Sequence, residues 1–361
     1  MEFLSLIFFA PKMENKLLKG DWIMCYKADL QRKNEEKLQE KFAEYSVPMF
    51  IREAVVLRIS SRQARLNAWA TVKTMLLWMI TKKYINKNNI GELTCEDLDA
   101  VIPMQMAEYL EFLLVEKRIS KPTLVTKKNQ LSSFWSKLKE RHYVMDNIVA
   151  LADSAEFKPA KTNRQKAAKQ PLPEDIADMI ENINHIKNDF LRIRNSCIIR
   201  VLRGTGLRKS ELIGLDDQDI YLDEKYIDAR HPRPYILVTS KGTYDYSDDG
   251  KDIVFLTKDA TEALYEWYKL KNTLKNITTE SVFVNRDGTR IGVKTLRKIF
   301  EKYGEDKITP HMMRHGYAME LQRESNDPVF VQEQGRWKSQ AMLRNVYDSG
   351  ATRSIGALDK M

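Results

Sequence analysis

From Ser60 to about Asn86, apolar side chains return at Leu66, Trp69, Val72, Leu76 and Met79. Steps of three and four residues place them on one stripe of an α-helix, and the Ser60-Ser61 pair ahead of them suits an N-cap. Pro103 opens a second helical run through Tyr109, Leu110, Leu113 and Leu114. A third follows Ser120-Lys121-Pro122, a cap residue and a first-turn proline. It turns Leu124, Leu131, Phe134 and Leu138 inward and sets Lys127, Lys128, Lys137 and Lys139 outside. The pattern predicts a small helical domain over residues 49–155, preceded by an extension over 1–48.

Residues 156–170 read differently. From Lys158 to Lys169 the five cations Lys158, Lys161, Arg164, Lys166 and Lys169 come with no acidic and no bulky apolar side chain, a composition that builds no core and reads as a basic linker. A second domain is expected over 171–361. It opens at Pro171 and carries a buried helix from Phe190 to Leu202 that includes Cys197. Short β-rich pieces follow at Tyr226–Ile227, Tyr235–Thr239 and Ile253–Leu256, with Gly242 and Gly250 marking the turn between the last two. Helical spacing resumes over Asp259–Leu270, Val293–Tyr303, His311–Gln322, Pro328–Gln334 and Ala341–Tyr347. The expected class is mainly α with a small antiparallel sheet, an α+β chain without internal repeats.

Composition narrows the picture. At 361 residues, with 43% apolar and 30% charged positions, the chain reads as a soluble globular protein of two domains. A net charge of +9 points to a polyanionic partner, which charge alone leaves open between DNA, RNA and an anionic membrane. Three scattered cysteines argue for a reducing, cytoplasmic setting rather than a disulfide scaffold. His311 and His315 share a helical face, but no Glu follows His311 as a zinc-protease helix would need, so no metal is expected. The apolar stretch Phe3–Ala10 is too short to span a bilayer and begins without a basic flank, so no membrane segment is expected. Lys19-Gly20-Asp21 back-translates to a purine-rich tract resembling a ribosome-binding site just before Met24. Translation is accordingly expected to start at Met24 rather than Met1 or Met13, an expectation that the intact mass of the natively expressed protein checks.

Four segments hold chemistry-bearing residues: Thr205-Gly206-Leu207-Arg208-Lys209-Ser210-Glu211-Leu212, then Ser240-Lys241-Gly242, then His311-Met312-Met313-Arg314-His315-Gly316, then Gly335-Arg336-Trp337-Lys338-Ser339 ahead of Tyr347. The two glycines of the first segment lack the Gly-Lys-Ser/Thr ending of a nucleotide loop. Singly, each residue has an ordinary reading. Arg208 can pair with Glu211 at a helix start, Lys241 can be a turn lysine, His311 a cap, Trp337 core, and Tyr347 is one of fifteen tyrosines.

In this order they resemble the catalytic domain of the tyrosine recombinases, the phage integrase family. The family's succession of Arg, hairpin Lys, His-x-x-Arg, His or Trp, and Tyr is similar to Arg208, Lys241, His311, Arg314, Trp337 and Tyr347. Gly-Leu-Arg-x-Ser-Glu-Leu and the Arg314-His315 pair match its framework, and the N-terminal helices resemble its SAM-like core-binding domain. Three positions depart from the pattern. Tyr244 to Asp249 gives the hairpin an acidic tip; Trp337 falls at the usual His position only with Arg336 read as an insertion; and the interval from Trp337 to Tyr347 is about one residue longer than is common in the family.

The resemblance implies strand cleavage by Tyr347 through a 3′-phosphotyrosine, with Arg208 and Arg314 forking the phosphate, Lys241 and His311 moving protons, Trp337 donating an indole N–H and Glu211 orienting Arg208. It implies no metal, nucleotide or other cofactor. The partner would be double-stranded DNA with a specific site, bound by a tetramer on two duplexes that is a monomer or dimer when free. Lys127, Lys128, Lys158, Lys161, Arg164, Lys166 and Lys169 are candidate backbone contacts. The setting would be nucleoid-associated, and the gene that of a mobile element or prophage. Three other readings stay open at this point: a sequence-specific regulator that keeps the fold without the reaction, a relaxing topoisomerase, and RNA binding without chemistry.

Overall fold

The computed structural model describes residues 26–152, 173–239, 250–305 and 307–337. The expectations for Met24, the 156–170 linker, Lys241 and the acidic hairpin tip, and Ala341–Tyr347 lie outside those residues. Contacts divide the chain into two units, 1–157 and 158–361.

The N-terminal unit is helical throughout its described length: α1 (Tyr26–Glu44), α2 (Met49–Val56), α3 (Arg62–Thr81), α4 (Cys95–Asp99), α5 (Pro103–Val115), α6 (Lys121–Glu140) and α7 (Ile148–Leu151). Ser61 caps α3 by accepting from the Ala64 N–H, and Ser120 caps α6 by accepting from the Thr123 N–H. The α3 stripe is buried through Trp69, Val72, Met75, Leu76 and Met79 against α1, α5 and α6. That helix ends at Thr81, earlier than the hydropathy pattern suggests, because Lys83 turns left-handed at φ 60°. The following Tyr84 N–H then returns to the Met79 carbonyl.

Residues 26–48, placed by hydropathy in an extension, instead supply α1 to this core. Only Leu38 and Phe42 of α1 are buried among many charged side chains, too thin a stripe for periodicity to flag. Lys137 also departs from expectation. It is buried rather than outside, flanked in sequence by the core residues Phe134 and Leu138, and burial beside Arg58 and Arg65 lowers its ammonium pKa. Lys127 and Lys128 are half-buried. No helix among the described residues is long and apolar enough to cross a membrane.

The C-terminal unit runs α8 (Pro173–Asn184), α9 (Asp189–Thr205), α10 (Lys209–Ile213), β1 (Ile220–Tyr221), β2 (Tyr235–Val238), β3 (Asp252–Phe255), α11 (Lys258–Lys271), α12 (Val293–Tyr303), α13 (Pro310–Ser325) and α14 (Pro328–Gly335). α9 is the axis of the unit: its buried face, with Cys197, Ile198, Val201 and Leu202, packs on α8, α11 and α13. The three strands form one antiparallel sheet in the order β1-β2-β3, pairing Ile220 with Ile236 and Val254 with Ile236 from the other side.

The first strand is Ile220–Tyr221, not Tyr226–Ile227. Tyr226 ends a 3-10 turn over Glu224–Tyr226, while Tyr221 stacks on Tyr235 with ring centroids 4.6 Å apart. Beside the sheet, three acids within Asp216–Asp219 draw cations from three other places. Asp216 pairs with Arg290, Asp217 with Lys271 at 2.6 Å, and Asp219 with Lys251 at 2.7 Å. These pairs pin the loop after α10, and with it the start of the site.

Candidate active site

Arg208 is placed by how α9 stops. The helix closes on Gly206 in the left-handed region at φ 58°, where a Cβ would lie 2.4 Å from the Tyr317 ring. Glycine is therefore required twice over, by conformation and by space. The chain reverses there, and Arg208 becomes the N-terminal flank of the single-turn helix α10.

Glu211, three residues on, is 1% exposed in its side chain. One of its oxygens accepts from Arg208 Nη1 at 2.6 Å; the other accepts from the Arg208 main-chain N–H at 2.8 Å and from Arg336 Nη2 at 3.0 Å. Burial works against its charge, but Arg336 and Arg208 outweigh it and hold the carboxyl at about 2. Glu211 is thus an anion whose acceptor capacity is spent on two arginines.

Arg314 comes from α13. Thr309 caps that helix by accepting from the Met312 N–H, and Pro310 occupies its first turn. The Arg314 side chain is buried. Its Nη1 donates to the Gly206 carbonyl at 2.5 Å and its Nη2 to the Gly335 carbonyl. Its guanidinium lies 4.4 Å from the centre of the Trp337 ring. The fork that the resemblance assigns to phosphate oxygens is here turned onto main-chain carbonyls, one at each end of the site.

One turn before Arg314, His311 is the exposed member of a histidine pair whose rings meet edge to face at 4.3 Å. Burial, then Arg314, Arg208 and Lys209, lower the His311 pKa, so the ring is neutral near pH 7. His315 behind it is lowered to about 4 by burial and by His311 and Arg314, and its buried Nδ1 has no partner among the described residues.

The third segment of the site is Gly335-Arg336-Trp337 at the end of α14. Trp337 packs with Ala318 and Val331, and a Cβ on Gly335 would fall 1.4 Å from its ring. The Arg336 carbonyl accepts from Arg208 Nη2 at 3.5 Å, while the Gly335 carbonyl accepts from Arg314. Arg208, Arg314, Trp337 and Glu211 are therefore tied together through three consecutive residues, with His311 beside them. Lys241 and Tyr347 are outside the described residues. Gly206, Gly335 and Arg336 lie inside the motif segments yet carry no role legible from sequence; all three complete the site through carbonyls, which every residue possesses.

Residues 173–352, half of the chain and all of this constellation except its N-terminal surroundings, match the model of the phage integrase family. The chain belongs to the phage integrase family. Among curated relatives, the tyrosine recombinase XerC of Neisseria gonorrhoeae is 31% identical over 185 residues, covering 50% of this chain and 54% of that protein. XerC of Vibrio cholerae is 27% identical over 209 residues, covering 56% and 62%. This integrase-family chain thus spans about half to three-fifths of the length of those relatives. The fold is shared more widely. The XerH recombinase in a pre-cleavage complex with its difH substrate aligns at TM-score 0.57, with 20% identity over 82% of this chain and 81% of that one. A lambda integrase dimer bound to a COC′ core site aligns at TM-score 0.54, with 15% identity over 88% and 96%.

Proposed function

We propose that this member of the family breaks and rejoins double-stranded DNA at a specific site, with Tyr347 as nucleophile. The observation that carries the reading is the convergence of Arg208 and Arg314 on residues 335–337, whose Trp337 stands ten residues ahead of Tyr347, inside the matched family domain.

The chemistry follows from what a phosphodiester demands. In-line attack spreads charge over the non-bridging oxygens, and fixed cations that need no reorganisation stabilise it. Arg208, with its carboxylate partner already satisfied and 28% of its side chain exposed, offers its fork to those oxygens. Arg314 adds positive charge from beneath and fixes Gly335, so that Trp337 stays against the phosphate pocket. The Tyr347 phenol oxygen bonds to phosphorus and the P–O5′ bond breaks. His311, neutral near pH 7, accepts the phenol proton, and Lys241 delivers one to the leaving 5′ oxygen. The phosphotyrosine conserves the bond energy, so a 5′-hydroxyl reverses the step without ATP, metal or other cofactor. Lys127, Lys128 and the basic 158–169 segment would track the backbone and make affinity salt-dependent. As the family resemblance implies, the assembly would be a tetramer on two sites, working on the nucleoid.

A nicked, end-labelled fragment from around the gene tests this reading. Wild type should yield an SDS-resistant, protease-sensitive DNA adduct. Arg208→Lys, which keeps the charge and loses the fork, should bind the same fragment and form the adduct at least about 100-fold more slowly. Binding with no adduct from the wild type would overturn the proposal.

A further inference from the structure

Arg336 occupies the position that the family pattern treats as an insertion, yet it is among the most constrained side chains of the site. It closes α14 in the left-handed region at φ 55° and ψ 47°, a conformation that a bulky residue holds only when its surroundings enforce it. Its side chain is 3% exposed against the 1% exposed Glu211, to which Nη2 donates at 3.0 Å. Nη1 folds back to the Gln334 carbonyl at 2.9 Å. At its other end, the Arg336 carbonyl accepts from Arg208 Nη2 at 3.5 Å.

Arg208 is therefore held between the Glu211 carboxylate, which it shares with Arg336, and the Arg336 main chain. An arginine with four flexible side-chain torsions loses most of its rotamer freedom in such a bracket. The bracket is built by the 335–337 segment, which in sequence precedes Tyr347.

We infer that Arg336 is a positioning residue, which locks the segment leading to Tyr347 onto Glu211 and thereby sets the guanidinium of Arg208 for the scissile phosphate. The bracket itself is independent of the reaction; only its purpose rests on the phosphotyrosine reading. A lysine at this position would keep the charge but could not bridge Glu211 and the Gln334 carbonyl with one planar group.

The test pairs Arg336→Met with Glu211→Gln in the full chain. Arg336→Met alone leaves a buried anion short of a partner and is expected to melt early. The double variant removes both charges and should melt near wild type. Its single-turnover adduct formation should be about 100-fold slower than wild type and about 10-fold slower than Glu211→Gln alone, which removes the carboxylate but keeps the Arg336 end of the bracket. DNA affinity should stay within a few-fold. Cleavage in the well-folded double variant as fast as in Glu211→Gln alone would overturn the inference and reduce Arg336 to a structural ion pair. A second readout is free of catalysis. In ¹⁵N-arginine spectra, the guanidinium signal of Arg208, identified by its loss in Arg208→Lys, should stay resolved in Glu211→Gln and merge with the exposed arginines only in the double variant. An unchanged signal would overturn the inference. A wild type that makes no adduct would fail the recombinase reading alone and leave this second readout to decide.

Discussion

A carboxylate buried as deeply as Glu211 costs several kcal/mol unless its charge and lone pairs are matched, and three donors from two arginines match it. The same economy governs His315, which is kept neutral rather than paired. Its folded value of about 4 lies below the ordinary 6.5, so the unfolded chain binds the proton first. The stability this confers is present above pH 6.5 and is lost as the pH falls through about 4. Glu211, at about 2, contributes its own loss only at lower pH. Melting curves of wild type and His315→Gln should therefore converge between pH 6.5 and 4, and a constant gap would contradict the assignment. Gly335 is the site's steric limit. Gly335→Ala places a methyl within the Trp337 ring and should lower stability by about 2 kcal/mol. It should also shift tryptophan emission as Trp337 leaves its contacts with Ala318 and Val331; an unshifted spectrum would argue against that packing.

Helices set these residues in register, and their caps show how local the instructions are. Thr309, Ser61, Ser120 and Asn188 each accept from the backbone two or three residues ahead, and the serine caps of α3 and α6 are readable from their sequences. Thr309→Ala, at the start of the helix that carries His311 and Arg314, should cost about 1 kcal/mol and lower Tm by about 2–4 °C; an unchanged Tm would show the cap to be dispensable. Long amphipathic elements such as α6, α11 and α12 are legible because their apolar stripes are regular. The helix α1 is not, since two buried residues in nineteen leave almost no stripe. Nor is β1: Ile220-Tyr221 is too short to alternate, and its strand identity comes from pairing with β2. Arg336 was hidden for a related reason. Its partner lies 125 residues away, so spacing next to Trp337 reads as an insertion while the fold makes it a joint.

At the level of the molecule, two units of different make-up sit on one basic chain: a helical unit with its own core and a unit whose family match begins at residue 173. The +9 charge fits a polyanionic partner of any kind; the proposal of DNA chemistry rests on the family and on the arginines that meet residues 335–337. The order of motif residues was legible because the chemistry needs particular side chains. The bonds through Gly206, Gly335 and Arg336 were not, because main-chain carbonyls carry no sequence signature. The central claim concerns the bond that Tyr347 makes, and one measurement reaches it directly. Trapped protein–DNA adduct, digested with nuclease and trypsin, should show a nucleotide-phosphate mass on the peptide of residues 345–353, the fragment between Arg344 and Arg353 that contains Tyr347. The account predicts that mass in wild type and its loss in Tyr347→Phe. Adduct mapped to another peptide, or persisting in Tyr347→Phe, would contradict it.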